Sequence, residues 1–91
     1  MKFTEKLKET RIVEGAVGTL TCKVNKQHKV TWFKDGKEMK PKSTTYEIIE
    51  ENLEHTLKIP KATLEDEAEY TVRLPEDETK AMLWVEGDVK I

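Results

Sequence analysis

Short runs of alternating apolar and polar residues, separated by turn residues, fill this 91-residue chain. Leu20, Cys22 and Val24 alternate with polar residues, and after a polar loop Val30 and Trp32 do the same. Successive side chains of a β-strand point to opposite faces, so each run predicts a strand with one face on a core. The pattern therefore predicts an all-β sandwich or barrel.

Turn residues divide the rest of the chain into further strands. Asp35-Gly36 favours a tight turn because glycine tolerates positive φ, so a hairpin or short edge strand should follow it. Pro60 ends a strand in which Leu57 and Ile59 share a face. About eight strands are predicted, within residues 3–7, 11–13, 20–24, 30–34, 46–49, 55–59, 70–74 and 81–85.

The secondary structure of residues 64–70 is ambiguous, because Leu-Glu-Asp-Glu-Ala-Glu contains good helix formers. A long helix is excluded by Pro60 before the segment and by the β-favouring Tyr70-Thr71-Val72 after it. A single helical turn remains compatible with the sequence.

Composition and charge favour one soluble domain with a solvated exterior. Hydrophobic residues make up 36% of the chain and charged residues 37%, which suits a single core. The net charge is −2 with both signs interspersed, so we expect no nucleic-acid partner, and no apolar run is long enough to predict a membrane partner. We predict one domain over residues 1–91, with its core at about 3–86 and a linker beginning at 87–91.

Cys22 is the only cysteine, so the chain has no internal disulfide. A lone cysteine fits a reducing compartment better than an oxidising one. We therefore expect a cytoplasmic location.

Four motifs, in this order and spacing, carry a family resemblance. They are Val13-Glu14-Gly15, Leu20-Thr21-Cys22-Lys23-Val24, Val30-Thr31-Trp32-Phe33-Lys34-Asp35-Gly36-Lys37-Glu38 and Leu64-Glu65-Asp66-Glu67-Ala68-Glu69-Tyr70-Thr71-Val72. The chain resembles the immunoglobulin superfamily, and within it the intermediate-set (I-set) domains of titin, obscurin and myosin-binding protein C. The resemblance implies an immunoglobulin-like β-sandwich of two antiparallel sheets, with the two termini at opposite poles.

The resemblance also implies a structural core that contains Cys22, Trp32, Leu57, Tyr70 and Val72. The indole of Trp32 is large enough to fill the middle of the sandwich. Tyr70 matches the family's corner tyrosine, whose hydroxyl bonds the backbone upstream. Val72 stands where extracellular members have a second cysteine, so packing alone holds the two sheets together, and we expect Cys22 to be an inert apolar residue.

Catalytic, metal and cofactor chemistry is not expected. Ser43 is the only serine and Cys22 occupies an inward strand position, so no nucleophile stands beside a base in a cleft. His28 and His55 lack the closely spaced partners of a zinc site, and we interpret both as solvated surface residues. We predict no enzyme activity, no cofactor and no metal site.

Strand parity suggests a candidate protein-binding face. If Ala81, Leu83 and Val85 point inward, Met82 and Trp84 point outward. By the same parity Phe33 and Arg73 lie outward on neighbouring strands, so Phe33, Arg73, Met82 and Trp84 form one apolar patch with a cation. The alternative is that Trp84 lies against Arg73 and Phe33 purely as intramolecular cover.

The resemblance implies a structural and protein-binding module of a large intracellular protein, sarcomeric or cytoskeletal, such as titin or obscurin. Such a module links domains in tandem, bears tension and docks a partner; neighbouring immunoglobulin domains and sarcomeric or cytoskeletal proteins are the expected partners. We expect the isolated domain to be monomeric and its resistance to pulling to depend on hydrogen bonds between residues 11–13 and 81–85. The alternative is a recognition domain of a kinase, signalling protein or cell-surface receptor.

Overall fold

The computed structural model describes residues 2–40 and 43–87, which form two β-sheets packed face to face. One sheet has the strand order β1-β3-β7-β6 and the other β2-β9-β8-β4-β5. The strands are β1 (Phe3–Glu5), β2 (Thr10–Val13), β3 (Gly18–Val24), β4 (Thr31–Lys34), β5 (Lys37–Glu38), β6 (Glu47–Glu51), β7 (Glu54–Ile59), β8 (Ala68–Arg73) and β9 (Glu78–Glu86). The predicted all-β sandwich is confirmed.

The Asp35-Gly36 pair forms the expected tight turn. Asp35 and Gly36 both have positive φ, 49° and 82°, and join β4 to the two-residue edge strand β5. Counting β5 brings the described strands to nine, against the eight runs predicted. Residues 64–66 form a 3₁₀ turn, and no helix among the described residues is long and apolar enough to cross a membrane.

The last strand is longer than the predicted run 81–85, because Thr79 also points inward and is buried. Gly87 follows the end of β9. Residues 88–91, the rest of the predicted linker, lie outside the described residues.

The pairing of β2 with β9 is parallel, whereas the other described strand pairs are antiparallel. Between β1 and β2 the chain crosses from one sheet to the other. As a result β2 lies beside β9, and the two strands run in the same direction. Thr10 pairs with Leu83 and Val13 with Glu86. The Glu14 amide extends the pairing by donating to the Glu86 carbonyl at 2.7 Å.

The core lies between the sheets and contains Cys22, Trp32, Leu57, Tyr70 and Val72, each no more than 1% exposed. Cys22 is a free thiol, and burial raises its pKa to about 12. Since the thiolate is the reactive form, this cysteine is inert at neutral pH.

A buried tyrosine joins the 3₁₀ turn to the strand that follows it. The Tyr70 hydroxyl donates to the Asp66 carbonyl oxygen at 2.7 Å. Burial, together with the negative charge of Asp66, raises the pKa of Tyr70 well above its usual value. The hydroxyl is therefore a fixed donor within the corner between the turn and β8.

The two ends of the described chain lie at opposite ends of the sandwich. The Asn25 amide donates to the Lys2 carbonyl at 3.0 Å, and the Phe3 amide donates to Asp77 Oδ2 at 3.1 Å. From the neighbouring Glu78, β9 runs nine residues away to Glu86, a distance of roughly 27 Å for an extended strand. Force applied through the two ends therefore acts along the strands.

Candidate protein-binding face

The outer face of the five-stranded sheet carries the four candidate residues. Ala81, Leu83 and Val85 are buried, whereas Met82 and Trp84 between them are half-buried on the opposite face of β9. This alternation follows from the pleat of a strand with one face on the core.

Phe33 and Arg73 form one cluster on this face. The Arg73 guanidinium carbon lies 4.6 Å from the centroid of the Phe33 ring, within cation–π range. The same guanidinium forms an ion pair with Glu78, with 3.3 Å between Nη2 and Oε2. Because the Arg73 side chain is 57% exposed, this cluster is open to solvent.

Trp84 belongs to a second cluster, formed with residues from the start of β2 and the segment before it. Arg11, its register partner on β2, places its guanidinium carbon 5.9 Å from the Trp84 ring centroid. The indole Nε1 donates to Glu9 Oε1 at 3.0 Å. Arg11 and Glu9 therefore contact Trp84, in place of Arg73 and Phe33, which the alternative interpretation had named.

The two clusters do not merge into the single apolar patch that parity suggested. Thr71 is the register partner of both Phe33 and Lys80, and Trp84 lies four residues beyond Lys80 along β9. Four residues of strand span roughly 13 Å. Met82 lies between the clusters with Glu69 as its register partner. The face therefore presents two separate aromatic–arginine pairs, with Met82 and polar residues between them.

His55 was expected to be a solvated residue, and that interpretation is wrong. The residue is 1% exposed on β7, where its register partner on β3 is Cys22. Burial lowers the pKa of the imidazole, with the negative charge of Glu50 acting in the opposite direction. Its parity with Leu57 was the signal in the sequence that could have indicated an inward position. The other histidine, His28, is exposed.

Side chains able to ligate a metal do not cluster among the described residues. Within them, no group of three or more His, Cys, Asp and Glu side chains is placed to hold a metal ion. The Ser43 hydroxyl is exposed, and its hydrogen-bond partner is the Thr45 hydroxyl at 3.1 Å.

Comparison with known proteins gives a consistent set of similarities. The model of the immunoglobulin I-set domain family matches residues 1–85. Human palladin is 43% identical over 74 residues, which cover 77% of this chain and 5% of palladin. Titin of Drosophila melanogaster is 34% identical over 85 residues, which cover 91% of this chain and a share of titin that rounds to 0%. This chain thus spans a small part of each of these relatives.

Among solved structures, the crystal structure of the I9–I11 tandem from titin superimposes with a TM-score of 0.89 at 26% sequence identity. The match covers 94% of this chain and 33% of the titin tandem.

Proposed function

The chain belongs to the immunoglobulin I-set domain family, and on this premise we propose that it is a structural and protein-binding module of a large cytoskeletal or sarcomeric multidomain protein. It acts in the cytoplasm as a link between neighbouring domains, bears tension, docks a partner protein and catalyses no reaction. Two comparisons support this proposal: palladin and titin are far longer than the matched segment, and the similar titin structure is a tandem.

The parallel pair of β2 and β9 is the observation that carries the tension-bearing role. Residues 2–3 and 86–87 lie at opposite ends of the sandwich, with β2 and β9 side by side between them. A pull through the two ends draws β2 and β9 in opposite directions along their length. Shear of this kind loads the hydrogen bonds of all four residue pairs together, whereas peeling would break them one at a time.

Replacing Glu14 with proline tests this role by removing one hydrogen bond between the two strands. The Glu14 amide donates to Glu86, and Glu14 precedes Gly15 (φ 90°) in a turn closed by the Ala16 amide and the Val13 carbonyl. Proline suits this turn position, so the backbone is little disturbed. We expect Glu14→Pro to lower the end-to-end unfolding force in single-molecule pulling and the free energy of unfolding by about 1 kcal/mol.

Val13→Pro is the matched control for this experiment. Val13 is exposed, and because successive amides along a strand point to opposite edges, its amide faces away from β9. We expect the unfolding force of Val13→Pro to be closer to that of the unchanged chain than the unfolding force of Glu14→Pro is. Equal losses of force in the two variants would contradict a role for the β2–β9 hydrogen bonds.

Partner docking is assigned to the outer face of the five-stranded sheet, with Phe33, Arg73, Met82 and Trp84 as its contact residues. Aromatic residues, methionine and arginine are enriched at protein interfaces, and arginine and tryptophan are frequent energetic anchors. The two aromatic–arginine pairs are pre-organised by their own contacts, which reduces the side-chain entropy lost on binding.

Amide spectra of the ¹⁵N-labelled chain test the docking face while candidate cytoskeletal proteins are added one at a time. We expect shifts clustered at the four contact residues and an affinity at least tenfold weaker for Trp84→Ala, the range of an interface anchor. Lys58→Ala, exposed on the other sheet, serves as the control and should bind unchanged. Binding that shifts only other surfaces, or that survives Trp84→Ala undiminished, would refute this assignment.

A further inference from the structure

Strand β6 (Glu47–Glu51) forms one edge of the four-stranded sheet. All five of its residues are in register with β7, and no described strand pairs with its other side. The other described edge strands are shorter: β1 has three residues and an irregular register, β2 has four residues and β5 has two. Because successive residues of a strand direct their N–H and C=O groups to opposite edges, β6 leaves a regular row of these groups open to a further strand.

The side chains of β6 alternate between two environments. Ile48 has the buried Leu57 as its register partner, and it lines an open groove together with Glu50 and residues of β4 and β5. Glu47, Ile49 and Glu51 lie on the outer face of the sheet by the same alternation. Ile49 is 39% exposed, so it offers an apolar contact at the middle of the strand. A strand added beside β6 would place its own side chains alternately on the same two faces.

The charge of β6 determines which kind of strand can pair with it. The strand carries three glutamates and no basic residue. Glu51 stands directly opposite Glu54 in the register with β7, and like charges in directly opposite positions destabilise a sheet. Glu47, Glu50 and Glu51 are all exposed, so their carboxylates are accessible to the cationic side chains of a partner.

The same charges disfavour a second copy of this chain as the added strand. Two β6 strands that paired antiparallel about Ile49 would set Glu47 of each copy opposite Glu51 of the other. This arrangement repels, and charged residues on edge strands commonly prevent self-association in this way. A strand with lysine or arginine at these positions would form attractive cross-strand pairs instead.

We propose that β6 is a second interaction surface, which binds an extended basic segment of a partner protein as an added antiparallel strand. The backbone of the segment continues the hydrogen-bonded ladder, and antiparallel pairing is the slightly more stable of the two directions. Its lysine or arginine side chains pair with Glu47, Glu50 and Glu51. Its apolar side chains contact Ile48 and Ile49. This surface lies on the opposite sheet from the docking face, so it is independent of the docking proposal.

The test follows amide spectra of the 91-residue chain during titration with the peptide acetyl-Lys-Lys-Val-Val-Lys-amide. In antiparallel pairing its lysines lie opposite Glu51, Glu50 and Glu47. Its valines lie opposite Ile49 and Ile48. We expect chemical-shift changes centred on β6.

A peptide with both valine nitrogens methylated is the control for strand pairing. It keeps the charges and side chains of the basic peptide. Because successive amides of a strand point to opposite edges, one of the two methylated nitrogens must face β6, where it cannot donate a hydrogen bond. We expect this peptide to bind at least about fivefold more weakly, the equivalent of one net hydrogen bond.

Charge reversal makes the test specific to β6. The double variant Glu47→Lys with Glu51→Lys should bind the basic peptide roughly tenfold more weakly, because two attractive cross-strand pairs become repulsive. It should instead bind acetyl-Glu-Lys-Val-Val-Glu-amide, in which only the two outer lysines are exchanged for glutamate. The matched control is Glu65→Lys with Glu69→Lys, which changes the net charge equally at two exposed positions outside the four-stranded sheet. This control should bind the basic peptide nearly as well as the unchanged chain.

The dispersion of each variant's amide spectrum shows that it is folded. The proposal is overturned if the basic peptide causes no shifts in β6, if the methylated peptide binds equally well, or if the two double variants bind the basic peptide alike. The glutamates of β6 would then serve only to keep this edge from self-association.

Discussion

At the scale of single residues, we expect His55 to couple the stability of the domain to pH. Its imidazole is buried in the folded chain, where burial lowers its pKa and Glu50 only partly opposes this effect. In the unfolded chain the pKa returns to about 6.5. Below that pH the unfolded chain takes up a proton that the folded chain does not, so the domain loses stability as the pH falls.

We expect the free energy of unfolding, measured with urea, to fall by roughly 1–2 kcal/mol between pH 7.5 and pH 5.0 because of this residue, since one titrating group contributes at most about 1.4 kcal/mol per pH unit. His55→Gln should remove this part of the pH dependence.

His28→Gln is the matched control, because it replaces the exposed histidine and leaves the buried one in place. It should retain the full loss of stability on acidification. If His55→Gln and the unchanged chain lose the same stability between these two pH values, His55 is not the group responsible.

At the scale of elements, the corner between the 3₁₀ turn and β8 depends on Tyr70. The hydroxyl holds the Asp66 carbonyl, and Asp66 Oδ2 in turn accepts from the Thr63 amide at 2.8 Å. We expect Tyr70→Phe to reduce the free energy of unfolding by about 1–3 kcal/mol, because the Asp66 carbonyl loses its buried donor. Urea denaturation measures this loss.

Tyr46→Phe controls for the removal of a tyrosine hydroxyl as such. The Tyr46 hydroxyl donates to the Lys40 carbonyl at 2.8 Å, but this bond is exposed and water can replace it. We expect Tyr46→Phe to cost clearly less than Tyr70→Phe. A Tyr70→Phe variant as stable as Tyr46→Phe would mean that the corner does not depend on its hydrogen bond.

Most elements could be predicted from local patterns in the sequence. The alternation around Cys22 and the Asp35-Gly36 turn specify strands and a hairpin without knowledge of distant residues. The corner tyrosine was expected from the family resemblance, and the hydrogen bond that it forms is local, because Tyr70 and Asp66 are only four positions apart.

The surroundings of Trp84 could not be predicted in the same way. Its partner Glu9 lies 75 positions away, and the contact with Arg11 requires the parallel register of β2 and β9. Alternation assigns each side chain to a face but does not determine the direction or the register of a neighbouring strand. Parity alone therefore gave the correct outward face for Trp84 and the wrong neighbours.

At the scale of the whole molecule, the proposed force path and the proposed docking face both lie on the five-stranded sheet. The parallel pair lies at the edge of the five-stranded sheet, and the Phe33–Arg73 cluster lies on β8 and β4, the next two strands after β9. Trp84 belongs both to the β2–β9 pair and to the proposed docking face, so the Phe33–Arg73 cluster is the part of that face that can be tested apart from the proposed force path.

The most direct test of the central claim is to pull the same domain in two directions. Handles on Lys2→Cys and Gly87→Cys load β2 and β9 in shear, whereas handles on Val17→Cys and Gly87→Cys pull the adjacent ends of the two strands apart. Cys22 does not interfere, because its buried thiol, with a pKa of about 12, is unreactive. We predict unfolding at a severalfold higher force in the first geometry, because the hydrogen bonds of β2 and β9 then break together. Equal forces in the two geometries would contradict the proposal that this parallel pair bears the tension.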